Sequence, residues 1–187
     1  TSSGENFLGG YRSGLEKNPD VEQFTVIYQI SDMPVLFGEQ EIAANAFSVD
    51  STFFKIFPYR VIAGSGRIVR PRDVVITRSF WKKKLGGKNA IGATFKNTKG
   101  NKFTIIGVVD DPDTKTSWMP DIFMSDELDE FLFFDPIYAM LMAPDTDIAL
   151  LNKKYSKEHP RSKWSTYETV RYQYCLLYTS DAADERS

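Results

Sequence analysis

Three apolar blocks between Phe47 and Asp111 restrict the fold more than any other part of the chain, because each joins one kind of secondary structure to another at a fixed spacing. They read FSVDSTFFKIF over 47–57, DVVITRSFWKKKLGG over 73–87, and IGATF over 91–95 followed by KFTIIGVVDD over 102–111. In the first, Asp50 or Ser51 is placed to accept from the free amides of a short helix, Phe53, Phe54 and Phe57 project as apolar anchors, and Pro58 ends it. In the second, the β-branched run Val74-Val75-Ile76 predicts a strand and Thr77 or Ser79 an N-cap. Phe80, Trp81 and Leu85 then form one apolar helix side, and Gly86-Gly87 supplies the positive-φ residue that closes a helix. The third predicts a hairpin, with Ala93–Asn97 running up, Thr98-Lys99-Gly100-Asn101 turning, and Lys102–Val109 running back.

Around these blocks the pattern is less regular. Leu8, Tyr11 and Leu15 sit near helical spacing within Phe7–Lys17, against the drag of Gly9, Gly10 and Gly14, and Asn18-Pro19-Asp20 ends that segment. Val21–Ile30 predicts a strand with apolar groups on both faces, broken by Ser31-Asp32-Met33-Pro34, and Glu41–Val49 predicts a second. Ala63-Gly64 reads as a turn, 110–120 as a polar loop, and Asp121–Met124 and Ile137–Met142 as short strands. Asp145–Lys157 reads as a helix with Ile148, Leu151 and Tyr155 on one side. Strands and helices mixed without regular alternation predict an α+β domain, a mixed sheet with short helices packed on it.

With 187 residues, 42% hydrophobic and 14% aromatic, the chain carries enough large apolar side chains to fold without disulfide or metal staples. The longest weakly polar stretch, Phe131–Ala143, is interrupted by Asp135 and Pro136 and falls short of the ~20 residues of a membrane span. The chain opens without an initiator Met or a signal-peptide pattern, so an excised segment of a longer protein is expected.

At the other end, Cys175–Glu185 reads CLLYTSDAADE, which resembles the in-frame translation of a transposon-type sequencing adapter. Residues 175–187 are therefore expected to be non-native, leaving 1–174 as the domain. Without that tail the single cysteine disappears, and with Arg186, Asp181, Asp184 and Glu185 removed the basic and acidic residues balance at 22 each. Charge is nonetheless segregated along the chain. Arg60–Lys102 holds twelve basic residues and one acid, Asp73, whereas Asp110–Asp147 holds eleven acids and one base, Lys115. Arg67, Arg70, Arg72, Arg78 and Lys82-Lys83-Lys84 would suit phosphate contacts, but they interleave with strand and helix patterns and accompany no nucleic-acid motif. Solvated faces that pair within the fold or meet a protein are expected, and no nucleic acid.

The order FSVDSTFFKIF, Ala63-Gly64, DVVITRSFWKKKLGG, NAIGATF and FTIIGVVDDP resembles the MacB-like periplasmic core domain of ABC-transporter permeases in the MacB/FtsX group. Matching positions are Asp50, Phe53, Phe54, Phe57, Gly64, Val75, Ile76, Thr77, Leu85, Gly86, Ile91, Gly92, Ile106, Gly107 and Val108, and the resemblance spans about Leu15 to Lys157. Departures are Lys84-Leu85-Gly86 for the usual Leu-Phe-Gly helix end, Ala90 where Pro is frequent, and Trp81 where Ala is common. The resemblance implies a porter-like lobe with part of a second lobe, flanked in the whole protein by membrane helices, one before and three after. It implies a place at the bacterial inner membrane, with this segment on the extracytoplasmic side. It also implies ATP hydrolysis on a separate ATP-binding subunit or domain, a homodimer or paired permease, a periplasmic adaptor as a further partner, and no cofactor. On this reading the domain moves against its copy and acts on cargo or the adaptor.

The residues themselves point the same way on chemistry. His159 is the only histidine and lies beside Pro160 in a charged stretch, which reads as a solvated loop rather than a base or ligand. Asp110, Asp111 and Asp113 lack the later Gly and Glu of a calcium loop, and Gly64-Ser65-Gly66 lacks the Lys-Ser/Thr ending of a phosphate loop. Two other classes stay open at this level: a hydrolase using acids such as those of Asp126–Glu130, and a free-standing secreted binding module. The blocks also predict that Phe53, Phe54, Phe57, Phe80, Ile106 and Val108 are buried.

Overall fold

In the computed structural model, the described residues are 15–111, 119–125, 136–147 and 149–150. Strands β1 (Val21–Phe37) and β2 (Gln40–Val49) are followed by helix α1 (Phe53–Ile56), β3 (Val61–Gly64), β4 (Asp73–Thr77) and helix α2 (Arg78–Lys84). Then come β5 (Thr94–Asn97), β6 (Lys102–Val109), β7 (Ile122–Ser125) and β8 (Pro136–Met142). The predicted segments 7–14, 112–118, 126–135 and 151–187 lie outside the described residues, and with them His159, Asp113, Asp126–Glu130 and the adapter-like tail.

The chain divides into two units, Thr1–Leu141 and Met142–Ser187. In the second, Thr146 donates its amide to the Ala143 carbonyl and Asp147 Oδ1 accepts the Leu150 amide at 3.0 Å, an acid capping the turn that begins a helix.

In the first unit the strands form one eight-stranded mixed sheet with parallel pairs β2–β7 and β4–β6. Because β1 pairs with both β2 and β5, six strands close into a circuit β1–β2–β7–β4–β6–β5–β1, with β3 added on β6 and β8 on β1. Closure gives the sheet an inner and an outer face. Every strand of the circuit sends residues to one cluster: Ile30 and Val35 from β1, Ala44 and Ala46 from β2, Ile122 and Met124 from β7, Val74 and Ile76 from β4, Phe103 and Ile105 from β6, and Phe95 from β5. That cluster is the interior, and Phe80 of α2 joins it with Trp81 and Leu85 packed alongside. Small alanines on β2 leave room for the rings of Phe37, Phe80, Phe95 and Phe103, of which Phe95 and Phe103 stack at 5.3 Å. The outer cluster, Ile27, Phe47, Val49, Phe53, Val75, Val109 and Phe123, is covered by α1.

Two bulges keep apolar side chains on the correct face. Ser31-Asp32-Met33-Pro34, predicted to end the strand, instead lies within β1: Ile30 pairs with Ala46 and Met33 with Ala44, so two residues oppose Asn45. Asp32 takes φ +50° there and donates its amide to Asn45 Oδ1. The extra residue shifts the alternation by one, so Tyr28 and Ile30 before it and Met33, Val35 and Phe37 after it all face the interior. On β6 the bulge is Ile106, since Val74 pairs with Ile105 but Val75 with Gly107. Phe103 and Ile105 point inward, Ile106 outward, and Val108 inward again.

Ala63-Gly64, predicted as a turn, ends β3 and pairs with Val108-Gly107. Its path crosses β6 so closely that only glycine fits: a Cβ on Gly107 would overlap the Ser65 carbonyl and one on Gly64 the Ile106 carbonyl. Ser65 seals the crossing by donating its amide to Ile106 O at 2.8 Å. Of the six side chains expected inside, Phe53, Phe80 and Val108 are buried, whereas Phe54, Phe57 and Ile106 are half-buried on the outer cluster, because α1 is a single turn that shields only one side.

Gly107→Ala is expected to destabilise the domain by about 3 kcal/mol or abolish folding, since the clash is with backbone that cannot turn away. Gly86→Ala, with φ +66° but open space around it, should cost about 1 kcal/mol. Urea unfolding of the two variants checks the ranking.

Candidate functional site

The positions matching the family pattern do not converge on a pocket; the fold distributes them over the joints between elements. Asp50, at the end of β2, is the most heavily used. Its Oδ1 accepts from the Thr25 hydroxyl at 2.7 Å and from the amides of Thr52 at 2.9 Å and Phe53 at 3.2 Å, and its Oδ2 accepts from the Val26 amide at 3.1 Å. The cap position of α1 is Thr52, whose own side chain makes no capping bond, so the predicted cap acts from two residues upstream. One carboxylate thus starts α1 and fastens it to β1. Seated this way, α1 lays Phe53 against Phe123, which Phe47, Phe54 and Tyr59 also surround at ring separations of 5.1–6.3 Å. Burial pushes the Tyr59 phenol up to about 12, so the ring takes part as a neutral aromatic.

The strand-to-helix joint is built as the second block predicts, with a partner the sequence did not reveal. Thr77 Oγ1 accepts from the Phe80 amide, capping α2. Asp111, thirty-odd residues away at the end of β6, accepts from the Ser79 amide at 3.2 Å and its hydroxyl at 2.8 Å. At the far end Gly86 and Gly87 both take positive φ and the Gly87 amide donates to Trp81 O at 3.0 Å. Leu85 packs half-buried on the interior cluster. Gly92, at φ +83°, donates its amide to Ile105 O and turns the chain into β5, while Ile91 stays 39% exposed.

Asp110 bridges two arginines: its Oδ2 accepts from Arg60 Nε and Nη2 and lies 3.0 Å from Arg78 Nη2. The hydrogen bond from Arg60, helped by the charges of Arg78 and Arg60, holds the Asp110 carboxyl below the usual aspartate range. Asp121 behaves oppositely. Burial raises its pKa, partly offset by the Asn45 amide that donates to its Oδ2 at 2.9 Å.

Asp50, Asp110, Asp111 and Asp121 are all engaged with backbone or arginine, and Ser65 Oγ turns back on Arg67. Among the described residues no three His, Cys, Asp or Glu side chains come together as a metal site. Of the basic block, Arg60 and Arg78 are consumed by Asp110, and Lys82, Lys83 and Lys84 lie on the exposed side of α2.

Asp50→Ala is expected to cost about 3 kcal/mol, because it strips a cap and leaves the Val26 amide without its carboxylate. Asp50→Asn should recover part of that, as its oxygen can still accept from Thr52 and Phe53; differential scanning calorimetry reads both. Asp110→Asn tests the charge bridge through pH. A carboxyl with a lowered folded-state pKa contributes stability above the ordinary 3.8 and loses it as pH falls through the folded value. The variant should be less stable than the parent at neutral pH, with the gap closing below pH 3.8. Asp121 is common to both proteins and drops out of the difference.

Comparison with known proteins follows the architecture. The chain resembles the periplasmic region of MacB from Actinobacillus actinomycetemcomitans at 18% identity, covering 79% of this chain and 72% of that one, with a TM-score of 0.61. It also resembles the extracellular domain of YknZ, a noncanonic ABC-type transporter from Gram-positive bacteria, at 14% identity, covering 80% and 82% with a TM-score of 0.60. At these identities the likeness is one of fold. Comparison with curated proteins returns no match. No helix among the described residues is long and apolar enough to cross a membrane. The sequence over residues 8–154 matches the family described as the MacB-like periplasmic core domain, and the chain belongs to that family of periplasmic domains of ABC-transporter permeases.

Proposed function

We propose that this domain is the extracytoplasmic output element of an ABC permease, receiving motion driven by an ATP-binding subunit and passing it to cargo or to an adaptor protein. The observation that carries this reading is the pairing of β8 on β1, itself a member of the closed six-strand circuit. Chain entering through β1 and leaving through β8 engages neighbouring strands of a single hydrogen-bonded unit, so a displacement applied at the base moves the circuit as a body. Family membership supports the setting: an inner-membrane permease with this segment outside the cytoplasm, working beside a second permease copy. Asp50, Asp110, Asp111 and Asp121 support it as well, since each braces a joint between segments. Asp50, Phe53, Gly64, Thr77, Gly86 and Gly107 act on this reading as the stiffening positions of the lever, with Phe54, Phe57, Ile76, Leu85, Ile91, Gly92 and Val108 shaping its surfaces and turns.

The test uses the complete transporter with its ATP-binding subunit in lipid. Spin labels placed at Lys82→Cys, on the exposed side of α2, in two permease copies should report a distance that changes between the nucleotide-free and ATP-bound states. A distance unchanged by nucleotide while ATP is hydrolysed would remove the lever reading.

A further inference from the structure

The β5–β6 hairpin places two lysines where sheet chemistry disfavours them. Lys96 and Lys102 are directly opposite each other across the antiparallel pair, and on its other side Lys96 faces Leu36 of β1. Like charges directly opposite on one face of a sheet repel and destabilise the pairing. Both side chains are exposed, and neither makes an ion pair among the described residues. The nearest acid along the same row is Glu41, which pairs with Leu36 and so lies two strand spacings, roughly 10 Å, from Lys96. Asp73, opposite Thr104 on β4, directs an oxygen to the Arg70 amide. Among the described residues, the repulsion is therefore relieved by no ion pair.

The same two lysines line a concavity of about 420 Å³ with Leu36, Gly38, Thr94 and Phe95. Thr94 stands two residues from Lys96 on the same strand face, so a hydroxyl lies on the side of the paired ammonium groups, and Leu36 supplies an apolar wall. We propose that this concavity binds a phosphate monoester, its oxygens between Lys96 and Lys102 and its carbon portion against Leu36. A phosphate monoester carries a charge of about −1.5 to −2 near neutrality, which two ammonium groups balance and one would not. Lysine binds it as a point charge and needs no bidentate geometry. The site differs from α2, whose Lys82, Lys83 and Lys84 are exposed in its last turn, with Lys84 and Lys83 acting on the charge of Asp121.

The probe is inorganic phosphate, titrated at low ionic strength into the isotopically labelled chain while amide chemical shifts are recorded. Saturable shifts are expected at Thr94, Lys96 and Lys102, with Lys96→Gln or Lys102→Gln weakening binding about tenfold. Each variant should also melt at a higher temperature than the parent in phosphate-free buffer, because the repulsion is gone, and should lose the parent's phosphate-dependent rise in melting temperature. Sedimentation with phosphatidylcholine vesicles, with and without phosphatidic acid, identifies the source. Co-sedimentation only with phosphatidic acid, lost in the variants, assigns the site to a lipid headgroup, whereas phosphate-induced shifts without co-sedimentation assign it to a soluble ester. Shifts that fail to saturate, that appear equally at Lys82–Lys84, or that persist in both variants would overturn the proposal.

Discussion

The crossing of Ser65 over Gly107 is the constraint on which the sheet depends. Strand β6 is bordered from Thr104 to Val109 by β4 on one edge, and on the other by β5 at Lys102–Thr104 and then β3 at Gly107–Val109. For β3 to take over, its chain must pass directly across β6, and that passage leaves no volume for a methyl group at Gly64 or Gly107. The bulge at Ile106 belongs to the same device. It returns Val108 to the interior after the strand has been displaced by one residue, and without it Gly107 and Val109 would face inward in its place. One local geometry therefore decides both where β3 lies and which side chains fill the circuit.

A second economy concerns the acids. Asp50, Asp111 and Asp121 each accept from backbone amides that begin an element or join two strands, and Asp110 ties two arginines on different elements. Carboxylates spent in this way hold ends that short elements cannot hold by themselves, since α1 is one turn and β3, β5 and β7 have four residues each. The joints are accordingly braced without a large helical layer, as the proposed lever would require.

Much of this was legible in the residues. β4, α2 with its threonine cap, the double-glycine end and the β5–β6 hairpin follow from local rules, and their predicted limits fall within a residue or so of those observed. The hidden parts are those that depend on a partner distant in sequence. Ser31-Asp32-Met33-Pro34 carries every local mark of a strand end, and only Asn45 across the pairing makes it a bulge. Ala63-Gly64 looks like a turn because glycine's tolerance of positive φ is visible, whereas the passing carbonyl of Ile106 is not. Asp111 reads as one loop acid among several until the fold brings it to Ser79. The positions resembling the family pattern lie at joints between elements and have no shared spatial centre that periodicity could have located.

The closed circuit also governs how the protein meets other copies of itself. An open sheet of this many strands offers two long rows of free amides and carbonyls, the template along which chains stack into aggregates. Here each of the six strands has a neighbour on both borders over part of its length, β1 meeting β5 at Val35 and Leu36 and β2 meeting β7 along Ala46–Val49. A domain built this way offers less free border for edge-to-edge stacking than an open sheet of the same strands, before any surface charge is considered.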